Sequence, residues 1–271
     1  MQTRINEIYE KSINGSEISG EEQKVIAEVI QKIDQGQLRV CTKTDNLWIT
    51  HEWIKKAILL YFKIQKNVLI ETEHWNYFDK VPVKKWQGTE GVRVVPPAVA
   101  RYGSYIEKGA ILMPSYVNIG AYVGAGTMVD TWATVGSCAQ IGANVHLSGG
   151  VGIGGVLEPA QAQPVIIEDE CFLGSRCIVV EGVHLEQGVV LGAGVTLTSS
   201  TKIIDVTNPS GPQIMKGRVP ANSVVIPGVE NKTFAAGSYG VPCALIIGQR
   251  QESTNKKTSL NQALREYNVS I

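Results

Sequence analysis

The chain has 271 residues with 25 basic and 25 acidic side chains, so its formal net charge at pH 7 is zero. This balance gives no indication of a polyanionic partner, and we expect no nucleic-acid binding. No apolar run approaches the ~18 residues of a membrane span, and the first residues lack the apolar core of a signal peptide. We therefore expect a cytoplasmic protein without membrane contact, long enough for two domains or for one solenoid with appendages.

The first part of the chain, residues 1–90, predicts a mostly helical domain. Ser19 precedes two glutamates and an amphipathic run, which is typical of a helix N-cap. Thr50 is predicted to cap a further helix whose apolar side chains surround it almost completely, and such a helix is buried. A short strand is expected over 38–40, and residues 68–86 alternate loosely, which indicates strand and loop.

An aliphatic residue returns every six positions from residue 111 onward, in two registers. The first register comprises Ile111, Val117, Val123, Val129, Val135, Ile141, Leu147 and Ile153, and the second Ile167, Leu173, Val179, Leu185, Leu191, Leu197 and Ile203. This short fixed period is typical of a hexapeptide parallel β-helix, and a β-sandwich with chance spacing is the weaker alternative. The predicted fold is therefore mainly β, with a left-handed parallel β-helix over residues 91–230.

The repeat also predicts packing inside the β-helix. Three hexads close one coil, so residues eighteen apart should stack, with Ile111 on Val129 and Val129 on Leu147. Glycines often follow the repeat aliphatic directly, where we expect sharp corners or positive φ angles. These glycines are Gly124, Gly136, Gly142, Gly154, Gly174 and Gly192.

Two gaps interrupt the period, and they predict extruded loops near 154–166 and 205–218. Loops held by a rigid scaffold are common places for function. The last part of the chain, 231–271, is expected to form a small α/β tail with a strand over 244–247, a polar linker and a short helix over 259–267.

Five cysteines are present, an odd number without a C-x-x-C pair. They are Cys41, Cys138, Cys171, Cys177 and Cys243. This usage indicates reduced thiols rather than disulfides or a zinc site. Cys171 and Cys177 fall on small-residue positions of the repeat, so we expect them to fill the core.

Three runs of residues are more specific than the period itself. They are Phe78-Asp79-Lys80-Val81-Pro82, Arg93-Val94-Val95-Pro96-Pro97, and the stretch from Met128 to Pro159, which contains Asp130-Thr131-Trp132-Ala133-Thr134-Val135-Gly136-Ser137-Cys138-Ala139-Gln140. Through these runs the chain resembles the tetrahydrodipicolinate N-succinyltransferases, and the likeness extends from His51 to at least Asp205. The resemblance implies transfer of succinyl from succinyl-CoA to the amine of ring-opened tetrahydrodipicolinate, in diaminopimelate and lysine biosynthesis. It also implies a homotrimer with the donor between neighbouring prisms, and no permanently bound cofactor.

Asp130 is the predicted general base. It follows a repeat aliphatic at a place where neighbouring hexads carry glycine, so a charged side chain departs from the preference of the coil. In the family that the chain resembles, the matching aspartate contacts the amino substrate and is the proposed base. Without that resemblance, a role in capping a corner would be an equal alternative for Asp130. Trp132 beside it is placed to exclude water.

The other predicted substrate-binding residues are Arg93, Ser148 and Arg176. The resemblance implies that Arg93 clamps a carboxylate, whereas its sequence position alone would favour a surface ion pair. The family often carries a glutamate two places after the arginine that matches Arg176, and here that place is Ile178. A second catalytic carboxylate is therefore doubtful, with Glu181 as the only nearby substitute.

For the acyl donor, Gly192 and Gly194 are predicted to form a smooth wall for pantetheine. Lys202, Lys216 and Arg218 are predicted to bind the phosphates, although basic residues near loops are commonly just solvated. No P-loop is present.

Alternatives remain open at this stage. His146 and His184 each precede a repeat aliphatic, so both should project from equivalent edges, and His146 is the alternative base. A separate alternative is an acetyl-CoA-dependent acyltransferase of the same fold, acting on the same or another amino acceptor. A zinc carbonic anhydrase on the same scaffold would need three converging histidines, and no metal site is predicted.

Overall fold

The computed structural model describes residues 1–45, 47–72 and 75–250. The predicted polar linker and the predicted helix over 259–267 lie outside these residues. Within them, none of the helices is both long and apolar enough to cross a membrane.

Three helices and two hairpins form the N-terminal unit. They are α1 Gln2–Ile13, α2 Gly20–Asp34, β1 Cys41–Thr44, β2 Leu47–Thr50, α3 Glu52–Ile64, β3 Val68–Glu71 and β4 Asn76–Asp79. Helix α2 begins at the predicted cap, because Ser19 Oγ accepts the Glu22 amide and the Glu22 carboxylate accepts the Ser19 amide. This reciprocal arrangement is a capping box.

Two local predictions in this unit were wrong. Thr50 does not cap α3, since it ends strand β2, and His51 takes the N-cap position without a side-chain cap bond. The strand expected over 38–40 starts later, at Cys41, where the chain can pair antiparallel with β2.

Beyond residue 92, the described chain forms a left-handed parallel β-helix of two-residue strands together with two antiparallel hairpins, β22–β23 and β25–β26. The strands of both parts follow in chain order. They are β5 Arg93–Val94, β6 Val99–Ala100, β7 Tyr105–Ile106, β8 Ile111–Leu112, β9 Tyr116–Val117, β10 Tyr122–Val123, β11 Met128–Val129, β12 Thr134–Val135, β13 Gln140–Ile141, β14 His146–Leu147, β15 Gly152–Ile153, β16 Ile166–Ile167, β17 Phe172–Leu173, β18 Ile178–Val179, β19 His184–Leu185, β20 Val190–Leu191, β21 Thr196–Leu197, β22 Ile203–Asp205, β23 Gln213–Met215, β24 Arg218–Val219, β25 Ser223–Phe234 and β26 Gly237–Gln249.

Successive strands fall on three faces of a prism. The first face contains β5, β8, β11, β14, β17 and β20 and continues into β25, β26, β22 and β23. The second face contains β6, β9, β12, β15, β18 and β21, and the third contains β7, β10, β13, β16, β19 and β24. The N-terminal unit packs on the third face, because Ile119 and Cys138 of the corner beside it belong to the core of the helices.

The second residue of each prism strand points inward, as the alternation of side chains in a strand requires. Val129 is fully buried and pairs with Leu112 on one side and Leu147 on the other. The prediction of Ile111 at this place was wrong by one residue, because the corner through Pro114 is one residue shorter than the others. The cysteine prediction is confirmed, since Cys171 and Cys177 are buried free thiols of the core.

The glycines that follow the repeat aliphatic lie at the corners as predicted, but their φ angles are ordinary, so the positive φ angle expected as one alternative was wrong. They are required because consecutive coils approach closely there. A Cβ on Gly136 would lie 2.2 Å from the amide nitrogen of Gly155, and one on Gly174 would lie 2.6 Å from that of Ala193. Positive φ angles occur two residues further along the corners, as at Trp132 and Arg176.

Both predicted extruded segments are present. The first leaves the prism between β15 and β16, and the second between β21 and β24, where it forms the β22–β23 hairpin. The strand expected over 244–247 lies inside β26, but its partner β25 and the length of this hairpin were not predicted.

Candidate active site

The corner between the first and second faces carries the predicted base. Strands β11, β14, β17 and β20 pair in register, so residues that follow them stack in columns. One column contains Asp130, Ser148, Gly174 and Gly192, and a second contains Trp132, Gly150, Arg176 and Gly194. We call this edge of the prism the Asp130 corner. The structure therefore unites five of the predicted site residues, namely Asp130, Ser148, Arg176, Gly192 and Gly194.

The carboxylate of Asp130 is fixed but accessible. Its Oδ1 accepts the backbone amide of Thr131 at 2.6 Å, and its side chain remains 32% exposed. Its Oδ2 lies 3.9 Å from Nε2 of His146, which is too long for a direct hydrogen bond. The His146 ring stacks on Phe172 with a centroid distance of 5.1 Å, so the imidazole beside Asp130 has a defined position.

Arg176 lies across the same corner. Its backbone has a φ of 62°, a strained value for a non-glycine residue, and its side chain is exposed. The absence of a side chain at Gly150 makes room for it, because a Cβ there would lie 2.7 Å from Arg176 Cδ. Ser148, which neighbours Asp130 in its column, is buried, with 7% of its surface exposed. A cation is thus held on the same edge as the Asp130 carboxylate.

Trp132 lies on the Asp130 corner itself, whereas Arg93 lies at a greater distance along the first face. Trp132 is 67% exposed, so in a single chain it does not exclude water from Asp130. Arg93 starts β5 on the first face, two strands away from β11, and is exposed. Two strand spacings correspond to about 10 Å, so Arg93 faces the same side but does not contact Asp130.

A cavity of about 880 Å³ lies at another edge, between the second and third faces. Both extruded segments contribute to it, through Gly154 to Glu158 and through Lys216 to Arg218, and hairpin β1–β2 of the N-terminal unit closes one side. Its lining residues include Leu47, Trp48, Glu158, Glu181, His184, Lys216 and Arg218.

The predicted phosphate-binding cations separate into two groups. Lys216 and Arg218 line this cavity, with the Arg218 guanidinium hydrogen-bonded to the Glu186 carboxylate. Lys202 lies elsewhere and donates to both oxygens of Glu230, at 2.8 and 2.6 Å. Lys202 is therefore engaged by a carboxylate.

The sequence did not indicate that Trp48 and His184 belong to a cavity. Trp48 lies in a hairpin whose only sequence signal is the Asp45-Asn46 pair between two alternating runs. His184 was expected on an edge equivalent to that of His146, and this was wrong. His146 belongs to the first face and His184 to the third, because the extruded segment between them changes the count of hexads.

Within the described parts of the chain, no three His, Cys, Asp or Glu side chains are grouped in a way that could hold a metal ion.

Comparison with known proteins gives full-length similarity. The profile described as tetrahydrodipicolinate N-succinyltransferase N-terminal matches residues 1–64, and that described as hexapeptide repeat of succinyl-transferase matches residues 164–199. A 2,3,4,5-tetrahydropyridine-2,6-dicarboxylate N-succinyltransferase of Photorhabdus laumondii is 50% identical, with 98% of each chain covered. The enzyme of the same name from Ralstonia nicotianae is 57% identical, over 89% of this chain and 88% of that one.

The chain belongs to the tetrahydrodipicolinate N-succinyltransferase family.

A solved structure of similar fold supports the β-helix architecture of this chain. It is a putative 2,3,4,5-tetrahydropyridine-2-carboxylate N-succinyltransferase from Campylobacter jejuni, with a TM-score of 0.52 and 18% identity. The match covers 82% of this chain and 62% of that one. At this identity the likeness concerns the fold alone.

The departure from the succinyltransferase pattern at Ile178 has a definite place in the structure. Ile178 is an outward residue of the second face, 37% exposed, two positions after Arg176 on the Asp130 corner. Glu181 is not a substitute in this chain, because it accepts hydrogen bonds from the backbone amide and hydroxyl of Ser199 and lines the cavity at the other edge. Asp130 is thus the carboxylate that this corner presents.

Proposed function

We propose that this chain transfers the succinyl group of succinyl-CoA to the amino group of ring-opened 2,3,4,5-tetrahydropyridine-2,6-dicarboxylate, 2-amino-6-oxopimelate. This is the succinylase step of diaminopimelate and lysine biosynthesis, and we place it in the cytoplasm. The observation that carries the proposal is the identity of 50% to a named enzyme over 98% of both chains. The columns of the Asp130 corner supply residues suited to the reaction.

Asp130 acts as the general base in this proposal. The acceptor binds as an ammonium, and Asp130 removes one proton so that the nitrogen lone pair becomes available. The nitrogen then bonds to the thioester carbonyl carbon, the carbon–sulfur bond breaks, and the nitrogen loses a second proton. The CoA thiolate takes up one of the two protons and solvent receives the other, so the amide and the CoA thiol balance the reaction.

The arginines and Ser148 bind the anionic groups of the substrates. The acceptor has two carboxylates and the succinyl tail has one, and guanidinium groups bind carboxylates with two parallel hydrogen bonds. Arg176 is at the same corner as Asp130, and Arg93 is displaced along the first face, so the two cations can bind separated carboxylates. Ser148 is placed to add a hydroxyl between them.

Succinyl-CoA is a co-substrate, and no permanently bound group is needed. Gly192 and Gly194 continue the Asp130 corner away from the base, and a Cβ on Gly194 would meet nothing within 4 Å. This open strip suits the pantetheine arm. Lys216 and Arg218, with Lys202 nearer β25, supply cations for phosphates. We propose a homotrimer in which the donor lies between neighbouring prisms, since the separate edges must meet to form one site.

The decisive experiment measures thiol release with 2-amino-6-oxopimelate as acceptor, comparing succinyl-CoA and acetyl-CoA at equal concentrations. We expect release with succinyl-CoA and little with acetyl-CoA. A preference for acetyl-CoA would overturn the donor assignment, and no release with either donor would overturn the acceptor assignment.

A further inference from the structure

The outer surface of the first face carries a second group beside Asp130 that can accept a proton. Met128 begins strand β11, and its side chain points away from the core, as does that of Asp130 two residues later. His146 begins the neighbouring strand β14 and is the register partner of Met128. The imidazole of His146 is therefore the diagonal neighbour of the Asp130 carboxylate on the same surface.

The position of this imidazole is fixed by the coil below it. The His146 backbone amide donates to the carbonyl of Cys171 at 3.0 Å, which holds the strand. The His146 ring lies almost parallel to the ring of Phe172, with an interplanar angle of 6° and a centroid distance of 5.1 Å. Its side chain nevertheless remains 21% exposed. A substrate can thus reach an imidazole whose ring plane is already set.

The gap between the two side chains has the size of one bound nitrogen. Asp130 Oδ1 accepts the Thr131 amide, whereas Asp130 Oδ2 lies 3.9 Å from His146 Nε2. A hydrogen bond measures about 2.9 Å, so two such bonds that meet at one nitrogen span up to about 5.8 Å. An ammonium group has three N–H donors. It can therefore donate to Asp130 Oδ2 and to His146 Nε2 at the same time.

The proposed reaction removes two protons from that nitrogen, and a single carboxylate accepts one of them. Within the described residues, Asp130 is the carboxylate that this corner presents, because Ile178 is apolar and Glu181 is engaged by Ser199 at another edge. Imidazole is the side chain that most readily gains and loses a proton near neutral pH. A histidine beside Asp130 can therefore accept the second proton and release it again.

We infer that His146 is a second catalytic residue, which accepts the second proton of the acceptor nitrogen and delivers it to the sulfur of CoA. Asp130 first removes one proton, and the nitrogen bonds to the thioester carbon. The remaining ammonium-type N–H bond then breaks in favour of His146 Nε2 as the carbon–sulfur bond breaks. Transfer of this proton to the thiolate returns His146 to its neutral form, and Asp130 releases its own proton to solvent. The inference rests on the proposed function for the identity of both substrates.

The first test is the His146→Phe variant, which keeps a ring to stack on Phe172 but has no nitrogen. We expect kcat for thiol release to fall by about 10²-fold, the lower end of general acid–base catalysis, with the KM for succinyl-CoA unchanged. The matched control is His51→Gln, since His51 is hydrogen-bonded to Thr42 in the N-terminal unit at 2.8 Å and should leave kcat within about two-fold. Near-normal kcat in His146→Phe would overturn the inference.

Chemical rescue separates catalysis from packing. His146→Ala opens space beside Asp130, and we expect added imidazole to restore part of the lost thiol release with saturation. Asp130→Asn should not respond to imidazole. An inactive His146→Ala that imidazole does not rescue, together with an active His146→Phe, would assign His146 a packing role on Phe172 and overturn the inference.

A binding measurement tests the amine contact without turnover. The chain has four histidines, so nitrogen NMR of histidine-labelled protein is feasible, and the His146→Phe variant identifies the resonance of His146. We expect 2-aminopimelate to shift the Nε2 signal of His146, and pimelate, which has the same two carboxylates but no amine, to leave it unchanged. Equal shifts with both compounds would overturn the inference. If 2-aminopimelate shifts this signal but the wild-type chain releases no thiol from succinyl-CoA, the proposed reaction fails while the amine contact of His146 stands.

Discussion

Asp130 is the one charged residue of its column on the Asp130 corner, where the other members are Ser148, Gly174 and Gly192. Asp130→Asn preserves size and the acceptor oxygen for the Thr131 amide, so we expect the fold to persist. It removes the base, and we expect kcat to fall by about 10²–10⁴, the usual worth of general base catalysis. The measurement is thiol release at saturating succinyl-CoA.

A matched control comes from another corner of the prism. Asp169 is exposed and, like Asp130, accepts a backbone amide through its Oδ1, in this case that of Ala143 on the neighbouring coil at 2.7 Å. Asp169→Asn should therefore leave kcat within about two-fold, the scale of a surface substitution. Near-normal turnover of Asp130→Asn would assign the base role to another residue, with His146 the nearest candidate at 3.9 Å.

At the scale of elements, the first extruded segment depends on a buried lysine of α3. Lys55 is fully buried, and its Nζ donates to the carbonyls of Pro159 at 3.0 Å and Ala162 at 2.7 Å. Burial lowers the pKa of Lys55. In the described structure, the Lys55 ammonium donates to two backbone carbonyls of this segment, so Lys55 connects α3 to the tip of the segment.

Lys55→Met should release that tip without unfolding the chain. Loss of the two part-buried hydrogen bonds costs about 1–3 kcal/mol, but removal of a buried charge offsets part of this cost. We expect amides of residues 156–163 to exchange at least ten-fold faster in hydrogen-exchange measurements, with α3 unchanged. The control is Lys24→Met, which removes an exposed pair with Glu21 on α2. Unchanged exchange in Lys55→Met would show that the loop is fixed by other contacts.

The cap of α2 gives a prediction about pH. The Ser19 backbone amide, followed by the side chains of Lys11 and Ser19, lowers the pKa of Glu22 from 4.5 to about 2. Because the folded-state value is the lower one, the stabilisation is complete above pH 4.5 and is lost as the pH falls towards 2.

Glu22→Gln should therefore lower the melting temperature at pH 7 more than at pH 3. Thermal denaturation of both proteins across this range is the measurement, with Glu21→Gln as control, because Glu21 is exposed and pairs only with Lys24 in the described structure. An equal decrease in melting temperature at pH 7 and pH 3 would contradict a stabilising contribution from the ionised Glu22 carboxylate.

At the scale of the molecule, the period of six was sufficient to predict the prism but not its starting register. Val129 and Leu147 follow the rule of one inward aliphatic per side, and a single shortened corner at Pro114 moves the inward position from Ile111 to Leu112. From the sequence alone, either Ile111 or Leu112 could be the inward residue before this shortened corner. The pairing of β8 with β11 on the next coil shows that it is Leu112.

The sequence predicted which residues share the Asp130 corner, because that corner repeats along the coils. It did not predict contacts between segments that are distant in the chain. Asp130, Ser148 and Arg176 share a corner because their strands pair in register, a consequence of the repeat. The contact of Trp48 with Glu168 joins residues 120 positions apart and depends on how the N-terminal unit packs on the third face. No local pattern encodes such a contact.

The assembly is the last prediction. Asp130 and the cavity lined by Lys216 and Arg218 lie on different edges of one prism, and Trp132 beside Asp130 is 67% exposed. Ile178 adds an exposed aliphatic side chain to the second face between these edges. A cyclic trimer would cover these side chains and bring the Asp130 corner of one protomer to the edge of the next.

Light scattering should thus give three times the chain mass of 29.4 kDa, about 88 kDa, at the concentrations used for kinetics. Because each site would need two protomers, specific activity should fall together with the trimer fraction when the protein is diluted. A species near 29.4 kDa with full activity would contradict the shared site and would require the Asp130 corner and the cavity of a single prism to serve one donor molecule.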